Sequence, residues 1–302
     1  MGESFADLPL PTGTTRSAPL LLYGTSRKEN NTRHLTEVAL NVGFTAVDTA
    51  NHPTAYNEPH TGGGITAAIK SGVIKREDLF IQTKFSPLFA HQKDKIPYNP
   101  DQDIEGQVKE SIQQSLDHLK VDYLDSFLLH GPYTDIHDSI KAYKVFETFV
   151  PHKIRRLGVS NFNLEQLQAL CDPASVKPTI VQNRFIRQSS YDIKVRHFCA
   201  DNGITYQAFY MLTHNPELLG AEVVASVAEI LAVEKEVAFY ILVLSLGDVQ
   251  VLDGTTRGEQ MKADLAAVTT TFEDDKLLQK LSPWVIEFKS LIWELAKEKK
   301  TD

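Results

Sequence analysis

Leu157-Gly158-Val159-Ser160-Asn161 is a short apolar run that stops abruptly on two polar residues, and the same stop recurs along the chain. Ala46-Val47-Asp48, Phe80-Ile81-Gln82-Thr83-Lys84, Phe127-Leu128-Leu129-His130 and Ile180-Val181-Gln182-Asn183 end the same way. Short runs rich in Val, Ile, Leu and Phe read as strands buried on both faces. A polar, chemically usable residue at the downstream end of each is the pattern of a parallel β/α barrel. In that fold the active site lies at the C-terminal ends of the strands. Five such endings in chain order, alternating with helical stretches, point to an enzyme.

Outward from these runs, strands are expected at Pro19–Tyr23, Thr45–Asp48, Leu79–Lys84, Leu124–His130, Ile154–Ser160, Thr179–Asn183, Ile204–Ala208 and Val249–Leu252. Helical patterns fill the intervals. Val108, Ile112, Leu116 and Leu119 recur at near-helical spacing within Ile104–Leu119. Asn163 with Gln166 three residues on reads as a helix N-cap, and Gly203 as the glycine closing a helix over Ser190–Asp201. Parallel strands need crossovers of this length. An open doubly wound sheet would want a G-x-G-x-x-G turn after the first strand, where this chain has Tyr23-Gly24-Thr25-Ser26-Arg27. The expected fold is α/β, a (β/α)8 TIM barrel in one domain over 1–302, with an extension at 1–18 and a C-terminal helical segment at 272–302.

Among 302 residues, 31 are basic and 39 acidic, for a net charge of −8. Such a surface disfavours nucleic acid and anionic membranes, which want clustered Lys and Arg. Cys171 and Cys199 are too few for a disulfide framework and have no metal-ligand spacing, so they read as two buried thiols and no metal is expected. No secretory leader or membrane-length apolar stretch is present in the sequence, and Ala6 breaks a myristoylation motif, so a cytoplasmic protein is expected.

Asp48-Thr49-Ala50, Tyr56, Gln82-Thr83-Lys84, Leu128-Leu129-His130, Gly158-Val159-Ser160-Asn161-Phe162 and Val181-Gln182-Asn183 together resemble the aldo-keto reductases, from about Leu20 to Leu265. Asp48-Thr49-Ala50-Asn51-His52-Pro53-Thr54-Ala55-Tyr56 is similar to a branch common in fungi and plants, in which the segment from Asp to Tyr is longer than usual. The resemblance implies NAD(P)H-dependent reduction of an aldehyde or ketone, with Asp48, Tyr56, Lys84 and His130 as the catalytic set. A phenol, with an unperturbed pKa of about 10, is a reluctant acid near neutrality. A neighbouring ammonium favours its phenolate, and a carboxylate can anchor that ammonium. An imidazole can hydrogen-bond the carbonyl oxygen.

The resemblance also assigns a nucleotide site. Ser160, Asn161 and Gln182 would hold the nicotinamide carboxamide, and Phe209 or Tyr210 would offer a ring to stack on. Leu212 to Leu219 would form the loop over the pyrophosphate. Gly254-Thr255-Thr256-Arg257 leads into a helix whose N–H groups suit an anion, with Asp264 near the adenine. Here the chain departs from its relatives, which place Lys and Arg where it has Gly254 and Gln260. Arg257 and Lys262 are the remaining cations, so NADPH is expected, with NADH the alternative. Phe85, Phe89 and Tyr133, with Tyr98 and His52, would line a mouth for an apolar or aromatic carbonyl compound, while His91 and His137 fall in no pattern. The partner is a small molecule, and a monomer or weak homo-oligomer is expected. Two other readings stay open: a nucleotide-binding regulatory or partner subunit with little catalysis, and an aldolase-like barrel in which Lys84 forms a Schiff base.

Overall fold

The computed structural model describes residues 19–297, so the expected extension at 1–18 and the residues after 297 lie outside the described residues. Eight strands close a barrel in chain order. They are β1 (Leu21–Gly24), β2 (Ala46–Asp48), β3 (Phe80–Phe85), β4 (Ser126–Leu129), β5 (Leu157–Ser160), β6 (Ile180–Arg184), β7 (Thr205–Phe209) and β8 (Val249–Asp253). The first six are each followed by one main helix: α1 (Thr32–Asn41), α2 (Glu58–Lys70), α3 (Ile104–Leu119), α4 (Ile136–Glu147), α5 (Leu164–Cys171) and α6 (Ile193–Asp201). Four helices follow β7: α7 (Met211–His214), α8 (Pro216–Leu219), α9 (Glu222–Leu231) and α10 (Lys235–Leu244). After β8 come α11 (Gly258–Glu273) and α12 (Asp275–Lys297). Among the described residues, no helix is long and apolar enough to cross a membrane.

The described residues fall into two compact units. One holds Leu21–Gln182 with Leu252–Lys262; the other holds residues 19–20, Asn183–Val251 and residues 263–297. In the first, parallel pairing sets Gly24 beside Asp48, Asp48 beside Gln82, and Ser160 beside Gln182, so the polar strand endings share one rim. Gly158 keeps β5 close to its neighbours: a Cβ there would lie 2.5 Å from both the Ile180 carbonyl oxygen and Leu128 Cδ2. In α3, Asp103 caps the N-terminus by accepting from the Gly106 N–H, and Val108, Ile112 and Leu119 are fully buried. The Asn163–Gln166 capping box forms as the spacing predicts.

In the second unit the helix expected from Ser190 begins only at Ile193. Ser190, Tyr191 and Asp192 all have positive φ, which no helix accommodates. The Asn183 amide and the Tyr206 hydroxyl both donate to Asp192 Oδ2, at 2.7 and 3.0 Å, and so hold that turn open. Gly203, at φ +64°, closes the helix as expected. Cys199 is buried, but Cys171 is only half-buried, with burial raising its thiol to about 11.

Candidate active site

Side chains alternate along a strand, so Gln82 and Lys84 of β3, and Ser86 just beyond it, share one face while Thr83 and Phe85 share the other. Lys84 is completely buried and Asp48 is 1% exposed, so their charges face each other without water. The Lys84 ammonium donates to Asp48 Oδ1 and Oδ2, both at 2.7 Å, and to the Thr49 carbonyl at 2.8 Å. Gln82 and Gln182 also donate to Asp48 Oδ1, at 2.7 and 3.0 Å. A buried ion pair is stable only when its remaining hydrogen-bonding capacity is met, and these bonds meet it.

Tyr56 reaches this pair from a tethered loop. The Asn51 N–H donates to the Lys84 carbonyl at 3.1 Å, and the Asn51 amide donates to Ser111 Oγ and Gln114 Oε1, both at 3.1 Å. The Tyr56 N–H donates to the His52 carbonyl at 3.0 Å, and the Arg27 N–H donates to the Ala55 carbonyl at 2.7 Å. The half-buried phenol ring lies with its centroid 5.3 Å from Lys84 Nζ and 5.9 Å from the centre of the His130 ring, edge to face. Asp48, Tyr56, Lys84 and His130, separated by as many as 82 positions in the sequence, thus meet at one rim.

His130 is fixed at both ends. Its Nδ1 is 2.7 Å from Ser86 Oγ, and its carbonyl accepts from the Asn161 amide at 2.8 Å. Burial, then the Lys84 charge, then His52 and His91 hold its pKa well below the ordinary histidine value, so the ring is neutral. Around it, His91 Nε2 and the Tyr98 hydroxyl donate to the Ser86 carbonyl at 3.1 and 2.7 Å, and His52 Nε2 donates to the Ala90 carbonyl at 3.0 Å. His52 stacks on His91 with centroids 4.9 Å apart and meets His130 edge-on at 5.8 Å. Burial, opposed by the Ser86 carbonyl and reinforced by His52, pushes His91 down to about 4.

Two expected mouth residues are not at the mouth. Phe85 is fully buried, 6.2 Å from Phe146 and 5.4 Å from Tyr98, because it is on the opposite face from Lys84. Tyr98 is 3% exposed and spends its hydroxyl on Ser86. Phe89, 63% exposed, does lie open, edge to face with half-buried Tyr133 at 5.8 Å. A cavity of about 510 Å³ between α3 and α4 is lined by Glu105, Lys109, His137 and Lys144 and includes none of these strand-end residues.

Asn161, at φ +61°, also bonds Ser160 Oγ at 3.1 Å, and its N–H donates to the Gln182 carbonyl at 3.1 Å. Past β8, the Thr255 N–H donates to Asp253 Oδ1 at 2.9 Å, and the Tyr23 hydroxyl donates to the Thr255 carbonyl at 3.3 Å. The exposed Arg257 guanidinium reaches Gln260 Oε1 at 3.3 Å, and Gly254 and Thr256 are exposed. Within the second unit, Phe209 is half-buried and 5.0 Å from Tyr210, which stacks on His214 at 4.5 Å. The expected loop from Leu212 to Leu219 is instead largely the short helices α7 and α8, pinned by buried Asn215, whose amide donates to the Phe185 and Met211 carbonyls at 2.8 and 2.7 Å. Half-buried Leu212 lies in α7, and Asp264 is buried at 3% exposure.

The sequence pattern of the Aldo/keto reductase family matches residues 21–222. The chain belongs to that family. Among relatives, a glyoxal reductase of Bacillus subtilis is 31% identical over 201 residues, covering 66% of this chain and 64% of that protein. A methylglyoxal reductase of Salmonella typhimurium is 34% identical over 145 residues, 48% of this chain and 45% of that protein. The matched stretch therefore spans between about half and two thirds of these curated relatives. A solved aldo-keto reductase from a Medee basin deep-sea metagenome library superposes with a TM-score of 0.71 at 25% identity, over 89% of this chain and 92% of that one.

The donor chemistry of this aldo/keto reductase fits a nicotinamide dinucleotide. Amide and hydroxyl groups gather at the ends of β5 and β6, while hydroxyls, the Arg257 guanidinium and the start of the 16-residue helix α11 gather past β8. Sequence reading missed Gln82 as an Asp48 partner, and it missed Ser86 and His91 behind His130. The two-residue alternation through Gln82, Lys84 and Ser86 was the available signal.

Proposed function

We propose that the protein reduces an aldehyde or ketone to an alcohol with NAD(P)H, Tyr56 acting as general acid. The observation that carries this reading is the buried Asp48–Lys84 pair at 2.7 Å, with its ammonium 5.3 Å from the Tyr56 ring and a neutral His130 beside that ring. A reduced nicotinamide, when bound, supplies the hydride. The chain's own groups do the rest. Asp48, braced by Gln82 and Gln182, holds Lys84 in place. The Lys84 charge stabilises the phenolate left when Tyr56 gives its proton to the carbonyl oxygen. His130 Nδ1 lies 2.7 Å from Ser86 Oγ, and the tautomer that accepts there would carry its proton on Nε2 and donate it to that same oxygen. Ser160, Asn161 and Gln182 orient the ring-bearing end of the nucleotide, and Thr255, Thr256 and Arg257 its phosphorylated end. Phe209, Tyr210, Leu212, Gly254, Gln260 and Asp264 complete the proposed nucleotide contacts, and Phe89 with Tyr133 borders an apolar or aromatic substrate.

Glyoxal and methylglyoxal, the compounds named for two relatives, are the first substrates to try, beside aromatic aldehydes and ketones. The test follows NADPH absorbance and alcohol formation together across that panel. One nucleotide oxidised per alcohol formed is expected. Nucleotide binding with no carbonyl reduced would contradict catalysis and favour a binding barrel. A borohydride-trapped adduct on Lys84 would favour Schiff-base chemistry instead.

A further inference from the structure

Positions 254 and 260, just past β8, carry no cationic side chain, yet a cation is present there from another element. Lys28, in the turn between β1 and α1, donates its ammonium to the Gly254 carbonyl oxygen. Its Nζ would be 3.8 Å from a Cβ built on Gly254, and among the described residues, chain neighbours aside, no other heavy atom would lie within 4 Å of that Cβ. A positive charge therefore stands beside position 254 although residue 254 has no side chain.

Three features mark this contact as more than a surface lysine touching a carbonyl. Lys28 is half-buried, and burial lowers its pKa against the pull of the Asp253 carboxylate. Its ammonium has three N–H donors, and among the described residues Gly254 takes one, leaving the others for solvent or a ligand's oxygens. The turn that presents it is strained on both sides: Arg27 and Glu29, neither of them glycine, have φ of +56° and +48°. Such conformations persist where the surroundings over-determine them, and they collect at ligand sites. Here the Arg27 N–H to Ala55 carbonyl bond of 2.7 Å and the Thr32 hydroxyl to Glu29 carbonyl bond of 2.7 Å fix the turn.

We infer that Lys28 is the specificity-determining cation for the phosphorylated adenosine ribose of the nucleotide, supplying the charge that glycine at position 254 does not. The inference rests on the reading that this barrel binds a nicotinamide dinucleotide, and it extends that reading by assigning the choice of NADPH over NADH. Lys28 would meet the 2′-phosphate as a point charge from the β1 side, and Arg257 would meet it from the α11 side. The phosphate would add counter-charge to an ammonium that burial has partly desolvated.

Nucleotide binding by the intact protein, with no substrate present, tests this. Dissociation constants for NADPH and NADH would be measured by nucleotide fluorescence for wild type, Lys28→Met, and Lys28→Met combined with Gly254→Lys. Adenosine 2′,5′-bisphosphate would serve as competitor, and a thermal melt would check folding of each variant. Lys28→Met should weaken NADPH by about tenfold or more, as expected for losing a charged hydrogen bond, and leave NADH within about twofold. The bisphosphate should lose its hold in parallel. Gly254 has no positive φ and its Cβ position is nearly free, so Gly254→Lys should fit and restore NADPH binding. Equal weakening of both nucleotides would assign Lys28 to the pyrophosphate or to the fold and overturn the inference. So would unchanged NADPH binding. Failure of wild type to bind either nucleotide would instead remove the functional reading itself, and this inference with it.

Discussion

The rim around Asp48 and the segment past β8 are proposed to serve one reaction, yet they are built by opposite means. At the first, two charges are buried to 1% and 0% exposure and each is saturated with hydrogen bonds. At the second, Gly254, Thr256 and Arg257 are exposed, and the backbone is shaped by single bonds such as Thr255 N–H to Asp253 Oδ1. A proton donor must be placed to within fractions of an ångström, and desolvated charge locks geometry. A phosphate tolerates a looser grip, because charge attraction is long-ranged and water can share it.

That contrast sets the order of expected effects. Lys84→Met leaves the Asp48 carboxylate buried without its counter-charge. Unfolding experiments should show a loss of about 3–5 kcal/mol, and reduction should fall by about 10²–10⁴-fold. A variant with near wild-type stability would mean that the pair is not sealed from water. Gln82→Leu removes one donor to Asp48 Oδ1 while Lys84 and Gln182 remain. A loss of about 1.5–3 kcal/mol is expected, as for a hydrogen bond to a charged group, with turnover reduced less than in Lys84→Met.

The histidines behind the rim give the contrast a pH signature. His91 and His130 both have folded pKa values below that of the unfolded chain, His91 at about 4. Below about 6.5 the unfolded chain therefore binds more protons than the folded one, and stability falls with pH. For His91 the loss runs from about 6.5 down to about 4, and no such loss is present at pH 8. His91→Gln, which keeps a donor for the Ser86 carbonyl, should melt with a shallower acid slope than wild type. An identical slope would show that this imidazole titrates freely. At the other end of the scale, Arg257→Ala should change stability by no more than about 0.5 kcal/mol. A larger change would mean that the segment past β8 is as tightly built as the rim.

The fold was legible because buried parallel strands are continuous apolar runs, and each polar ending marks where the chain leaves the barrel. The extent of α3 matches its reading to the residue. The helix before β7 does not, because Asn183, Asp192 and Tyr206 meet only in three dimensions and their bonds override the local helical pattern. The strand endings at Asp48, Lys84 and His130, together with the family resemblance that singled out Tyr56, pointed to the residues that meet at the rim. Phe85 was misread because its type suited a mouth while its parity placed it behind the barrel wall. Lys28 was invisible for a different reason: its tie to Gly254 joins positions 226 apart, and no local pattern encodes it.

Comparing Tyr56→Phe with wild type in single-turnover reduction of methylglyoxal by bound NADPH bears most directly on the proposed acid. The phenylalanine keeps the ring that lies 5.3 Å from Lys84 Nζ and removes only the hydroxyl. A fall of about 100-fold or more in the hydride-transfer rate, with nucleotide affinity unchanged within about twofold, is the predicted result. Reduction within about threefold of wild type would contradict the account, because the proton would then come from elsewhere.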